Sequence, residues 1–331
     1  MTTACVMGSG SWGTAFAATL ADAGTDVVMW GRRGQLVDQI NSGRNEDYLP
    51  GLPLPPGLRA TTDPAEAMAG RDLVVLAVPS QTLRAGLAEW GGVPQGSTVV
   101  SLMKGVELGT TLRMSQVVAE ATGMPSDRIA VLSGPNLALE IANKQPAASV
   151  VACPDHETAD RVAAACTTGY FRVYTNADVI GTELGGAVKN VIALAVGMAE
   201  GMGMGDNTKA SIITRGLAET ARLGVRLGAD PGTFLGLAGV GDLIATCMSP
   251  LSRNRTFGVD LGRGLTVAQV VEKTRQTAEG VKSCHSVLDL ARRHDVEVPI
   301  VEAVASVIDG VRTPEELADL LMSRTRKNER V

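Results

Sequence analysis

Apolar positions in the first half of the chain fall in short, nearly unbroken runs: Ala4 to Met7, Asp26 to Trp30, Leu73 to Val78, Ser97 to Leu102, Ile129 to Leu132 and Ala148 to Cys153. Runs of this length without polar alternation predict strands buried on both faces. The stretches between them, such as Trp12 to Ala23 and Gln81 to Trp90, carry apolar residues at helical spacing. Strands alternating with helices predict an α/β domain with a doubly wound, parallel, Rossmann-type sheet. Beyond about Asp178 the period changes. Helical spacing runs through Val179 to Met204, Lys209 to Leu227, Leu265 to Lys273, Cys284 to Arg293, Pro299 to Ile308 and Pro314 to Ser323. The expected architecture is therefore a dinucleotide-binding domain over residues 1–180 followed by an all-helical substrate and catalytic domain over residues 181–331. The mostly charged tail, Arg324 to Arg330, is expected to fray.

Composition narrows the function. A chain of 331 residues is long enough for two cores at about 150 residues per domain. Its net charge of −5 and its ten aromatic residues disfavour a nucleic-acid binder, which needs basic grooves and stacking platforms. Cysteines 5, 153, 166, 247 and 284 form no CxxC, and an odd count suits a reducing compartment. Histidines 156, 285 and 294 make no metal-ligand pair, so no metal is expected. No apolar run approaches the ~18 residues that span a bilayer, and the N-terminus enters a short apolar segment with no basic region or cleavage signal, so no targeting segment is expected. The expectation is a soluble, cytoplasmic protein without membrane insertion.

Gly8-Ser9-Gly10-Ser11-Trp12-Gly13 is a GxGxxG set between the first strand and the first helix. In that context Gly8 permits the tight turn, Gly10 the approach of a pyrophosphate, and Gly13 close helix packing, while the helix start offers free amides. The alternative is a glycine-rich turn with no ligand. NAD binders usually place an acid at the end of the second strand, but here Gly31-Arg32-Arg33 follows Trp30. Two guanidiniums suit a 2′-phosphate, which favours NADP over NAD, unless the pair is only a solvated loop.

Lys189 follows Gly185 and Gly186 by one helical turn, so the helix is bare beside the lysine. That surface fits either a ligand or a packed helix with Lys189 reaching outward. Lys104 and Ser133-Gly134-Pro135-Asn136 each follow a strand, where α/β sheets bind ligands, and Pro135 reads as the first residue of a helix. Asp242 opens another helix, as a functional group or only as its cap. Ser252-Arg253-Asn254 reads as a helix entry with Ser252 capping, a combination suited to a phosphate monoester.

These segments closely resemble the bacterial NAD(P)-dependent sn-glycerol-3-phosphate dehydrogenase family. The match runs in order through GSGSWGTA from Gly8, MKGVE from Met103, SGPN from Ser133, ELGGAVKNVIALAVGM from Glu183, TRGLAE from Thr214, GLAGVGDLIATC from Gly236, SRNRTFG from Ser252 and AEGVK from Ala278. The resemblance implies reversible reduction of dihydroxyacetone phosphate by NAD(P)H to sn-glycerol 3-phosphate for phospholipid synthesis, in a homodimer. It implies Lys189 as the proton donor and acceptor, with Lys104 and Asp242 completing the polar site. Gly134, Asn136, Ser252, Arg253 and Asn254 would hold substrate. Ser11, Trp12, Arg32, Arg33, Lys104, Ala138, Arg253 and Glu279 match cofactor positions, and Thr246 and Asn190 are weaker additions. Asn136-Leu137 departs from the family's usual Thr or Ser followed by Phe, and Thr277-Ala278 from a common Val-Val pair.

Such chemistry requires a proton donor with a pKa well below the free lysine value of ~10.4. Burial and a second ammonium, Lys104, would lower Lys189, and Asp242 would oppose that shift. Two rival readings are a β-hydroxyacid dehydrogenase and a nucleotide-sensing module without turnover. The first resembles G-x-x-x-K-x-x-x-N, whereas Ala193 stands four residues after Lys189 here. The second would be expected to lose Lys104, Lys189 or Asp242, all of which are present.

Overall fold

Backbone hydrogen bonds of a buried strand need partners on both sides, and the apolar runs meet that demand by pairing with one another. In the computed structural model, which describes residues 1–274 and 278–317, eight strands form one sheet: β1 (Thr3–Met7), β2 (Asp26–Trp30), β3 (Arg59–Thr61), β4 (Leu73–Leu76), β5 (Thr98–Ser101), β6 (Ile129–Ser133), β7 (Ala147–Ala152) and β8 (Phe171–Asn176). Their order is β3-β2-β1-β4-β5-β6-β7-β8. The order reverses at β1, which pairs with β2 on one side and β4 on the other, both parallel. That reversal point, at the carboxyl end of β1, is where open α/β sheets bind ligands.

The six apolar runs are all strands, each within a residue or two of its expected bounds. The sheet is not wholly parallel, because β6 and β7 run antiparallel. Only a five-residue helix, Ala138–Ala142, intervenes between them, and Pro135 lies before it rather than at its start. Edge strands β3 and β8 alternate with exposed polar residues and leave no apolar run to read.

The chain forms two compact units, one of Met1–Met103 with Arg113–Thr182 and the other of Lys104–Leu112 with Glu183–Val331. The first unit's core is aliphatic, with Trp12, Phe16 and Phe171 as its aromatic cluster. The second unit has helices Val179–Gly201 (from Glu183 onward), Asp206–Arg226, Asp242–Met248, Arg253–Gly262, Val267–Thr274, Glu279–Arg293 and Pro299–Ile308, with no strand among its described residues. The helical run expected from Pro314 is helical as far as Leu317; the rest of it, Thr277 and the tail from Arg324 to Arg330 lie outside the described residues.

Val179–Gly201 is long and apolar enough to cross a membrane, but 89% of its most apolar window is buried inside the protein. An all-round apolar helix of that kind is a core helix. It meets helix Arg253–Gly262 backbone to backbone: a β-carbon at Gly258 would stand 3.0 Å from the Gly197 Cα, and one at Gly201 would stand 2.9 Å from the Gly262 Cα. Any side chain there would push the two helices apart.

Glu219 is buried, and its two carboxylate oxygens accept the Ile300 N–H at 2.9 and 3.0 Å, satisfying an orphan amide at the start of helix Pro299–Ile308. Burial raises this carboxyl from 4.5 to about 7, against the opposing pull of the backbone donors and of Arg222 and Arg215. Between those two values the native state holds a proton that the unfolded chain has released. The stability this group contributes is therefore complete below pH 4.5 and declines as pH rises toward 7. The stability difference between wild type and Glu219→Gln, followed by urea unfolding, should shift against the wild type by about 3 kcal/mol across that window. A constant difference would show that the carboxyl titrates alike in both states.

Candidate active site

In the first unit the turn after β1 is built by close approach. Gly8 has φ +133°, and a β-carbon on it would lie 2.5 Å from the Ala77 carbonyl oxygen. A β-carbon on Gly13 would strike the Gly8 carbonyl. Gly10, in contrast, has no atom within 4 Å of its β-carbon position. It caps helix Ser11–Asp22, which has no side-chain cap and no acid in its first turn. An uncapped helix start over open glycine backbone suits a diphosphate, so the turn fits a dinucleotide. The Trp12 Nε1–H is buried with no partner in the protein, a donor that a bound group could satisfy.

Motif reading missed Asn45, which braces this turn. It is fully buried and donates to the Ser9 carbonyl at 3.1 Å and the Thr14 hydroxyl at 2.8 Å. A lone loop asparagine gives no signal in sequence. Arg32 and Arg33 are both exposed at the end of β2. Arg33 is paired with Asp47 at 2.9 Å and lies over the Tyr48 ring, so of the two it is the one held in place. Farther along the sheet, Gly134 (φ +149°) passes so close to β7 that a β-carbon would stand 2.8 Å from the Ser149 hydroxyl. Both amide atoms of Asn136 are buried and unpartnered. Ala138 opens the short helix that follows.

The second unit gathers the ionisable residues. Lys189 lies mid-helix and is 6% exposed; Asp242 is 1% exposed. Lys189 Nζ donates to Asp242 Oδ1 and, at 2.7 Å, to the Thr246 hydroxyl. Lys104 Nζ donates to the other oxygen, Oδ2, at 2.5 Å. Asp242 is the first residue of helix Asp242–Met248 rather than its cap, which is Gly241. Thr246 follows one turn later on the same face, so both reach Lys189. Gly185 is bare because the helix packs there: a β-carbon would strike the Ala238 carbonyl. The glycine is thus a packing contact, yet Lys189 points inward.

Burial draws the Lys189 ammonium from 10.5 to about 7; the charge and hydrogen bond of Lys104 pull the same way, and Asp242 opposes them. One carboxylate shared by two ammoniums cannot neutralise both, and the more buried lysine gives way.

The phosphate-type entry is more committed to structure than its sequence suggests. The Ser252 hydroxyl caps its helix by accepting the Arg255 N–H at 3.3 Å. Asn254 is buried; it donates to Asn190 Oδ1 at 3.0 Å and accepts the Gly280 N–H at 2.9 Å, next to Glu279. One Asn254 amide hydrogen and the Ser252 hydroxyl hydrogen remain to donate. Arg253 is exposed at the first helical position.

Models of the NAD-dependent glycerol-3-phosphate dehydrogenase N-terminus and C-terminus match residues 3–159 and 178–319. The chain belongs to that family. It is 63% identical to glycerol-3-phosphate dehydrogenase (NAD(P)+) of Streptomyces griseus over 99% of this chain and 98% of that one. It is 56% identical to glycerol-3-phosphate dehydrogenase (NAD(P)+) 2 of Mycobacterium tuberculosis, again over 99% and 98%. The crystal structure of glycerol-3-phosphate dehydrogenase from Coxiella burnetii superposes with a TM-score of 0.92 at 34% identity, covering 98% of this chain and 99% of that chain.

The Lys189 titration is measurable from the 13C shift of its ε-carbon. It should titrate near pH 7 in the free protein. Asp242→Asn should move it lower still, because the carboxylate is the group that favours the charged form. An upward move would mean that Asp242 does not face the ammonium in solution.

Proposed function

We propose that this chain catalyses reversible reduction of dihydroxyacetone phosphate to sn-glycerol 3-phosphate with NAD(P)H. The observation that carries the reading is the buried Lys104–Asp242–Lys189–Thr246 cluster in a chain of this family. When bound at the Gly8–Gly13 turn, the dinucleotide supplies the hydride for reduction or takes it in oxidation. Lys189 gives the ketone oxygen a proton from Nζ in reduction and takes one from the alcohol in oxidation. With Asp242 and Thr246 accepting two of its hydrogens, the ammonium has one left to aim at that oxygen. Asp242 orients Nζ, and burial, aided by Lys104, keeps its pKa low enough to exchange a proton near neutrality.

The substrate's phosphate falls to Arg253, Ser252 and Asn254, where a guanidinium and a helix start supply charge and donors. Gly134 and Asn136 are assigned to substrate as well. An unpaired buried amide costs about 1–3 kcal/mol, which a ligand at Asn136 would recover. Gly8, Gly10, Ser11, Trp12, Gly13, Arg32, Arg33, Lys104, Ala138, Arg253 and Glu279 make up the cofactor set, with NADP favoured by the two arginines. Residues 1–180 then serve the dinucleotide and residues 181–331 the chemistry, joined there by Lys104. Family resemblance supports a homodimer that feeds phospholipid synthesis. Five buried cysteines outside any disulfide support a reducing, cytoplasmic setting.

Oxidation of NADPH or NADH followed by absorbance, with dihydroxyacetone phosphate and a 3-keto acid in parallel, tests the reading. Turnover confined to the triose phosphate is expected, and turnover of the 3-keto acid alone would overturn it. Lys189→Ala should lower kcat by about 10²- to 10⁴-fold while NADPH binding stays within a few-fold. Loss of both together would make Lys189 structural. Replacing Arg32 and Arg33 by Gln should raise the KM for NADPH about tenfold or more and leave that for NADH nearly unchanged, since the 2′-phosphate is what the guanidiniums would pair with. Equal changes would remove the arginines from cofactor choice.

A further inference from the structure

The Lys104–Leu112 segment sits in the first half of the sequence but packs with the second unit. It contains a strained residue: Thr111 is buried and has φ +61°. A β-branched side chain crowds its own backbone in the left-handed region, so it persists there only where surrounding contacts hold it. Those contacts come from Arg293, the last residue of helix Glu279–Arg293. Its Nη1 donates to the Thr110 carbonyl at 2.7 Å and the Thr111 hydroxyl at 2.9 Å, and its Nη2 donates to the Gly109 carbonyl at 2.7 Å. One planar guanidinium thus fixes three consecutive residues, a geometry that an ammonium does not reproduce.

From there the hold passes toward Lys104. The Thr111 N–H donates to the Glu107 carbonyl at 3.0 Å, and the Glu107 N–H donates to the Leu112 carbonyl at 2.9 Å. The Thr110 hydroxyl donates to Glu107 Oε2 at 2.5 Å. Glu107 is three residues from Lys104, and Val106 between them is fully buried. At the other end Lys104 Nζ meets Asp242 Oδ2 at 2.5 Å.

We infer that Arg293 is a positioning residue for the reaction: it holds the strained Gly109–Thr111 turn and thereby sets where Lys104 stands against Asp242. This rests on the reading of Lys104, Asp242 and Lys189 as the reaction centre. Without Arg293 the turn relaxes and Lys104 withdraws. Asp242 is then left to Lys189 alone, and the like charge that depresses Lys189 is gone. The groups facing Lys189 are Asp242, Thr246, Lys104 and the Cys247 thiol. Of these, only Lys104 is carried by the loop, so its withdrawal moves the Lys189 pKa upward.

The test is the pH profile of kcat/KM for ketone reduction, with Tm recorded alongside, in wild type, Arg293→Met, Lys104→Met and the double variant. Reduction needs protonated Lys189, so the profile is flat at low pH and falls above the limiting pKa. Lys104→Met should move that pKa up by about one unit. Arg293→Met should move it the same way by about half a unit or more, lower kcat/KM about tenfold, and add little once Lys104 is gone. Arg293→Lys should fall between Arg293→Met and wild type, and it carries the comparison if the methionine variant does not fold. An Arg293 variant that lowers Tm, keeps the wild-type limiting pKa and adds fully to Lys104→Met would make the residue merely structural and overturn the inference. An unmoved profile in Lys104→Met itself would overturn the reading of the reaction centre, and the inference with it.

Discussion

A single carboxylate, Asp242, lies between two ammoniums in the interior of the helical unit, and most of the surrounding structure serves that arrangement. Burying an ion costs several kcal/mol even after relaxation, and breaking a buried pair leaves a bare charge. Two ammoniums round one carboxylate would leave an excess of +1 largely out of contact with water. The molecule relieves it by lowering the pKa of the more buried lysine to about 7. Lys104 and Asp242 then balance, and Lys189 exchanges its proton at little cost. The start of helix Asp242–Met248 adds its positive end to the aspartate, which steadies the negative partner.

Holding three side chains to hydrogen-bond tolerance requires rigid elements, and here glycine supplies the rigidity through contact. Gly185 lets the lysine helix meet the Ala238 carbonyl just before the aspartate helix begins. Gly197 and Gly201 let it meet Gly258 and Gly262 on the helix that carries Arg253 and Asn254. The Asn254 amide, shared between Asn190 and the Gly280 amide, then ties three helices at one point. A change at any of these glycines would act on the chemistry by moving helices rather than by touching the reacting atoms.

What the sequence made legible follows the physics of each feature. Strands buried on both faces announce themselves as apolar runs, and all six were readable; β3 and β8 were not, because edge strands need no such run. The glycine turn was readable from its spacing and context. Spacing alone left Lys189 open between a ligand groove and a packed helix, and the fold contains both: Gly185 packs and Lys189 turns inward. Pro135 misled because proline at a strand exit marks a turn as readily as a helix start. Asn45, Asp47 and Arg293 act through contacts between residues far apart in sequence, and no local pattern encodes such a contact.

The displaced lysine also answers why a residue with an ordinary pKa above 10 serves where histidine is the common choice. Ketone reduction takes up one proton from solution, so its equilibrium shifts about tenfold toward the alcohol for each pH unit lowered. A donor with a pKa near the working pH keeps its acid and base forms both populated, and so serves both directions. Histidine brings that pKa with it, whereas Lys189 owes it first to burial and then to the balance between Asp242, which raises it, and Lys104, which lowers it. The proton chemistry therefore depends in part on the loop that carries Lys104, and a disturbance of the loop alters the pKa of a lysine 85 residues away in sequence.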